Sequence, residues 1–497
     1  MRKQSILIPL LLVALLYLPF LGNAFVSDDI GGIVNGVSHW TWLEAIGWPR
    51  VIHLGVLLQY WTYQLFGPVP WPYRFTNILF HMGNAVLVFL IVKKLSKPTI
   101  AFVASLLFAI HPLTIESITW ISGGVYAQYT FFFLLSFWLY LSRKIGSVFC
   151  YFLSVLISEK AVPLVFVFML YEWVYGNMKK NWLRLIPFFV VSICFILFYI
   201  SRLEVRVADL QQANYQTTSG LYNPFQQIPL AISSYLALFV WPQALTLYHS
   251  SFRLTTWELG FRMLVTIGFF VIALYGVVKK KPFGFWIGWF VIGLGITLLP
   301  VKIAWIVAER YAYLSIIGLS VVVGMLFDTL LYKKQLKVPI ICLGVVVVFA
   351  LCARTIVRNS NWRTEDSLWV ATVRISPYDQ HSWNNMGDVY SRHGQYEKSI
   401  DAFTKATEIN PNYADAYHNM GYTYVQMKKY DEAIPFFEKA VSINPNLWQS
   451  YQDLAFIAAA RKDYQKAIQF LEKALQIEPH DAVLQENIKV LRREVQL

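Results

Sequence analysis

Charge is scarce in this sequence: 14% of its 497 residues are Asp, Glu, Lys or Arg, while 57% are hydrophobic and 17% aromatic. Soluble globular chains carry about 25% charged residues, so that class is excluded for most of the molecule. Cysteine is rarer still, and Cys150, Cys194, Cys342 and Cys352 all fall inside apolar segments, which rules out a visible disulfide framework. No Asn-Xaa-Ser/Thr acceptor occurs, an absence that argues against a eukaryotic lumenal protein. Lys and Arg outnumber Asp and Glu by 42 to 29, a formal charge of +13. These basic residues sit in short clusters between apolar runs and do not line one face of a soluble domain, so nucleic acid is not the implied partner.

Apolar sequence is what the chain has in abundance. A hydrocarbon core about 30 Å thick needs roughly 20 helical residues per span. The first 355 residues supply many such runs, among them ILIPLLLVALLYLPFLG and FWIGWFVIGLGITLLP, and the rest of the chain supplies none. Arg2, Lys3 and the later LGNA also fit a cleavable signal peptide, but the run between them is long enough to span and many more follow.

The positive-inside rule places Arg2/Lys3, Lys93/Lys94/Lys97, Arg143/Lys144, Lys179/Lys180/Arg184, Lys279 to Lys281 and Lys333/Lys334/Lys337 in the cytoplasm. Spans near 5–22, 73–92, 99–115, 124–142, 145–158, 160–176 and 183–201 satisfy it, followed by 259–278, 283–300, 311–332 and 336–353. A crossing at 225–243 would put Lys279 to Lys281 outside, so that segment is read as a half-helix or interfacial element on the outer side. The expected fold is all-α, a membrane helix bundle of about eleven spans over residues 1–355 with its N-terminus inside.

Pro377, Pro411, Pro445 and Pro479 then recur every 34 residues. HSWNNMGDVYSRHGQYEKSIDAFTKATEINP and the two stretches after it superpose at that period as amphipathic helix pairs, the signature of tetratricopeptide repeats. Residues 356–376 read as a degenerate repeat or junction, 377–480 as the α-solenoid of repeats, and 481–497 as a capping helix. Gly387, Gly421 and Ala455 let paired helices approach, and Phe403, Phe437 and Leu471 pack between them. Such an array binds an extended peptide or partner helix in its concave groove, or else serves as a rigid spacer. His381, His393, His418 and His480 lack metal-ligand spacing and read as surface residues.

The topology gathers polar residues on the outer face: Asp28, Asp29, His39, Glu44 and Arg50 in the first loop, His111 and Glu116 in the second, and Lys302, Glu309 and Arg310 in a late one. Asp28 also fits a plain turn cap before IGGIVNG, and His111 fits an interfacial histidine. A divalent metal at Asp28, Asp29 and His111 is compatible with their types, although the spacing does not demand it.

The order of these features resembles the transmembrane and tetratricopeptide-repeat O-mannosyltransferases of the GT-C superfamily, in a bacterial version. HPLTIESITWISG and VAERYAYLS carry the resemblance most specifically, along with the acidic pair, WPYRFTNILFHMG and the repeats. Family members often carry a basic and an acidic residue after the WISG-like stretch, where this chain has GGVYAQ at 123–128.

The resemblance implies inverting transfer of a sugar, mannose-like, from a polyprenyl-phosphate carrier to an acceptor hydroxyl, a protein Ser or Thr, at the outer face. No cofactor beyond the lipid-linked donor is implied. Asp28, with Asp29 as second choice, is the expected general base, while Arg50, Arg310 and Lys302 face the lipid phosphate. His111, Glu116 and Glu309 fall to substrate binding. The implied setting is an integral membrane, bacterial inner membrane with periplasmic repeats, or endoplasmic reticulum with lumenal repeats if eukaryotic. The competing expectation is a non-catalytic, membrane-anchored scaffold.

Overall fold

A computed structural model describes residues 6–37, 40–45, 54–202, 223–249, 254–299, 305–479 and 481–496. Every regular element among them is helical. Contacts divide the chain into two compact units, one running to Leu368 and the other from Trp369.

In the first unit each of the eleven expected segments holds an apolar helix. Pro70–Leu95, Ser122–Leu141, Thr256–Val278 and Lys334–Asn361 are long and apolar enough to cross a bilayer, and Met178–Arg184 with Ile186–Ile200 is so only when taken together as a pair bent by 51°. The other apolar helices are 10–17 residues long. Proline opens several of them, at Pro70, Pro98, Pro224 and Pro282, where its missing N–H costs no hydrogen bond.

Two boundaries differ from expectation, and the segment read as a half-helix or interfacial element holds a helix. Leu54–Phe66 forms a helix that its interleaved Gln59, Thr62 and Gln64 had hidden from a search for apolar runs. The segment at 225–243 is the helix Pro224–Val240, with Pro229 inside it. The last apolar helix does not stop near 353 but continues to Asn361. Leu351, Thr355, Arg358 and Asn359 are all buried on one side of it, a helical stripe that hydropathy misses because three of its four residues are polar.

The second unit is built of paired helices: Gln380–Arg392 with Tyr396–Ile409, Ala414–Gln426 with Tyr430–Ile443, and Trp448–Ala460 with Tyr464–Ile477. The helix Ala482–Gln496 follows them. A Cβ on Gly387 would come within 2.5 Å of the Phe403 ring, and one on Gly421 within 2.9 Å of Phe437, so glycine sets the close approach inside each pair. Leu484 and Ile488 of the last helix bury themselves on Ala455, Ala467 and Leu471, shielding the final pair from water. His381 and His418 are not plain surface residues. Each reaches the next repeat, His381 Nδ1 lying 3.1 Å from the Tyr413 hydroxyl and His418 Nδ1 2.9 Å from Ser450 Oγ. His480 lies outside the described residues.

Candidate active site

The acidic pair divides its labour. Ser27, just before it, adopts φ +56°, a left-handed conformation costing roughly 1–2 kcal/mol outside glycine. The two carboxylates that follow differ in burial. Asp29 is fully buried, its Oδ1 accepting hydrogen bonds from the Ser122 amide at 2.8 Å and the Ser122 hydroxyl at 2.6 Å. Burial pushes its carboxyl up to about 6, against the opposing pull of Ser122 and the Arg74 charge. Asp28 is exposed, its only described hydrogen bond a long one of 3.4 Å from its neighbour Ser27 Oγ.

Arg74, from the helix Pro70–Leu95, holds this loop in place. Its guanidinium is buried and donates to the carbonyls of Asn23, Ala24 and Thr119, the last at 2.8 Å. Glycine packs the stretch after the second loop just as tightly. A Cβ on Gly123 would lie 2.0 Å from the Glu116 carbonyl, and one on Gly124 2.0 Å from Asn77 Oδ1.

A buried ionic cluster lies alongside. Glu116 Oε2 accepts from the Arg310 amide at 3.1 Å and from Arg310 Nη1 at 3.2 Å. Arg358 Nη2 sits 3.0 Å from Glu309 Oε1 and 3.7 Å from Glu116 Oε1. Arg358, Glu116 and Glu309 are all 0% exposed. Burial and the like charge of Glu309 hold the Glu116 carboxyl well above the usual carboxylate range, against the pull of Arg310 and Arg358. Burial opposes the charge on Arg310, but Tyr311, Glu116, Tyr126 and Asp28 outweigh it, so the guanidinium is held above its ordinary value.

A second cation shares the same aromatic wall. Arg310 Cζ lies 5.2 Å from the Tyr311 ring centre, and Lys160 Nζ lies 5.7 Å from that ring and 5.3 Å from Tyr126. Lys160 is also 3.4 Å from Glu159. Tyr126 belongs to the 123–128 stretch that has neither base nor acid, and Lys160, paired with Glu159, brings a cation to it from elsewhere in the chain.

Of the residues expected in the site, Glu116, Glu309 and Arg310 come together, and Asp28 stands exposed on the first loop. His111 is committed internally, its Nε2 to the Phe239 carbonyl at 3.0 Å and its Nδ1 to the Leu113 amide. Arg50, Lys302 and His39 lie outside the described residues. Glu44 is occupied in capping Thr41. Among the described residues no group of three or more His, Cys, Asp or Glu is placed to hold a metal. Sequence reasoning missed Arg74, Glu159, Lys160 and Arg358. The signal for Lys160 was an ion pair interrupting two apolar runs.

Fold and site together describe an apolar helix bundle with a buried ionic cluster, followed by a repeat solenoid. Tetratricopeptide-repeat family models match residues 387–428, 414–447 and 448–481. Over 68% of its length the chain is 23% identical to the human protein O-mannosyl-transferase TMTC3 and 22% identical to the mouse protein. Over 79% it is 25% identical to a Caenorhabditis elegans protein O-mannosyl-transferase. The chain spans 42% of the two mammalian proteins and 61% of the nematode one. These relatives are animal proteins and lend no support to a bacterial setting. Among solved structures, the first tetratricopeptide domain of RPAP3 bound to an HSP90 peptide is similar at 20% identity, covering 24% of this chain and 97% of that one with a TM-score of 0.23. MamA is similar at 25% identity over 30% of this chain and 85% of its own, with a TM-score of 0.22.

Proposed function

We propose that the protein is a membrane glycosyltransferase that moves a mannose-type sugar from a polyprenyl-phosphate carrier to a Ser or Thr hydroxyl of a protein acceptor, at the outer membrane face. The observation that carries this reading is the exposed Asp28 carboxylate on a loop anchored by buried Asp29, together with the Arg310 and Lys160 cations gathered on one aromatic wall at Tyr311 and Tyr126. The acceptor oxygen attacks the anomeric carbon as the bond from that carbon to the phosphate oxygen breaks. The acceptor proton passes to Asp28. The leaving group is already a stable anion, so one base suffices and no second carboxyl is needed as acid, unlike glycoside hydrolysis.

Arg310 and Lys160 take the donor phosphate, Arg310 through its planar fork and Lys160 as a point charge. Lys160 here fills the part that sequence reasoning gave to Lys302. Glu116, Glu309 and Arg358 hold Arg310 in position. The names of the relatives support the sugar and the protein acceptor, and the clustering of basic residues supports an outer-face site.

The test is transfer from polyprenyl-phosphate-mannose to a Ser/Thr peptide in detergent. Lys160→Met should raise the donor KM about tenfold, equivalent to about 1.4 kcal/mol, with kcat little changed. An unchanged donor KM would remove Lys160 from the phosphate site.

A further inference from the structure

The repeat unit carries two carboxylates that its own basic residues do not neutralise. Asp415 and Asp453 lie on the first helices of successive repeats and are partly buried. Among the described residues neither pairs with a Lys or Arg. The neighbour of Asp453 is His418, whose Nδ1 is 3.8 Å from Oδ2, and burial lowers that imidazole to about 4, leaving it neutral near pH 7.

Asp453 belongs to a periodic row. Asn385, Asn419, Asp453 and Asn487 recur at the repeat spacing of 34, and so do Asp388, Tyr422, Phe456 and Val490 one helical turn further on. The first helices of the repeats sit side by side: Asn419 Nδ2 donates to Asn384 Oδ1 at 3.0 Å, and His418 bridges to Ser450. At the end of the row a recess of about 410 Å³ is lined by Asp453, Phe456, Asn487, Val490 and Leu491. Phe456 is 51% exposed and Tyr422 45%.

We propose that this face binds an extended protein segment carrying a Lys or Arg over Asp453, with an apolar side chain in the recess beside Phe456 and Val490. Charge complementarity selects the occupant. Uncompensated carboxylates repel phosphate, which disfavours nucleic acid and anionic lipid, and they attract a cationic side chain. Helices in contact lie about 8–10 Å apart, the span of about three residues of extended chain, so positions three apart on the segment meet successive repeats. The amides of Asn419 and Asn487 offer donors and acceptors to its main chain. Desolvation pushes Asp415 up to about 6 and Asp453 to about 7, consistent with carboxylates awaiting a cation.

The inference concerns binding alone and is independent of the transfer chemistry. The full-length protein, purified in detergent, is used to select from a phage-displayed library of random dodecapeptides. The expected outcome is enrichment of peptides with Lys or Arg near an apolar residue. The best synthetic peptide should bind Asp453→Asn about tenfold more weakly, and Phe456→Ala should lose the apolar preference while keeping the basic one. Absence of enrichment, enrichment of acidic peptides, or equal binding by Asp453→Asn with an unchanged melting midpoint would overturn it.

Discussion

The two units place their polar groups by opposite means. In the repeat unit the pattern is local: one spacing of 34 residues sets glycine against phenylalanine in successive pairs, and each contact joins residues close in sequence. In the membrane unit the ionic cluster draws Glu116, Glu309, Arg310 and Arg358 from three segments far apart in the chain. The first arrangement tolerates change one repeat at a time. The second is a closed set of charges, in which removing one member strands the others.

That contrast is testable by mutation, and the largest effect belongs to the closed set. Arg358→Met should cost about 3–5 kcal/mol, because Glu309 loses its buried arginine partner while Glu116 keeps only Arg310. The double variant Arg358→Met/Glu309→Gln should recover part of the loss. Thermal unfolding in detergent checks both, and a neutral effect of the single variant would show that the cluster is hydrated.

A somewhat smaller effect concerns Asp29. Its folded value of about 6 lies above the ordinary Asp value of 3.8, so the folded state holds its proton more tightly than the unfolded chain. This contribution is fully present below pH 4 and is lost as pH rises through 6, about 3 kcal/mol in all. Asp29→Asn should remove that slope from a plot of melting midpoint against pH, and a slope that persists in the variant would assign it to another group.

The smallest effect should come from the periodic unit. Gly421→Val forces a side chain against Phe437 and should cost about 1–3 kcal/mol, read as a lower melting midpoint for the repeats. Ala455 occupies the equivalent place two helices on and already carries a Cβ, so Ala455→Gly should change the midpoint by less.

Legibility follows the same division. The repeats, their glycines and their capping helix were readable because amphipathic periodicity is written in adjacent residues. So were the apolar helices and the acidic pair. Arg358 was not, because it lies in a polar last turn that hydropathy assigns to a junction, although the buried stripe Leu351–Thr355–Arg358 runs through it at helical spacing. Lys160 sat in the gap between two apolar runs and looked like a connector, and only Tyr126 and Tyr311, distant in sequence, make it part of a site. The different burial of Asp28 and Asp29, which follow the left-handed Ser27, is set by contacts with Ser122 far along the chain, which no periodic pattern reveals.

The central claim is that Asp28 acts as a base while Asp29 anchors its loop. The most direct measurement is loss of polyprenyl-phosphate-mannose in detergent with a Ser/Thr peptide present, comparing wild type with Asp28→Asn at matched melting midpoints. Wild type should release the lipid phosphate, and Asp28→Asn should do so about 10²–10⁴-fold more slowly. Equal turnover by the two proteins would contradict the role of Asp28, and no turnover by wild type would favour a non-catalytic scaffold.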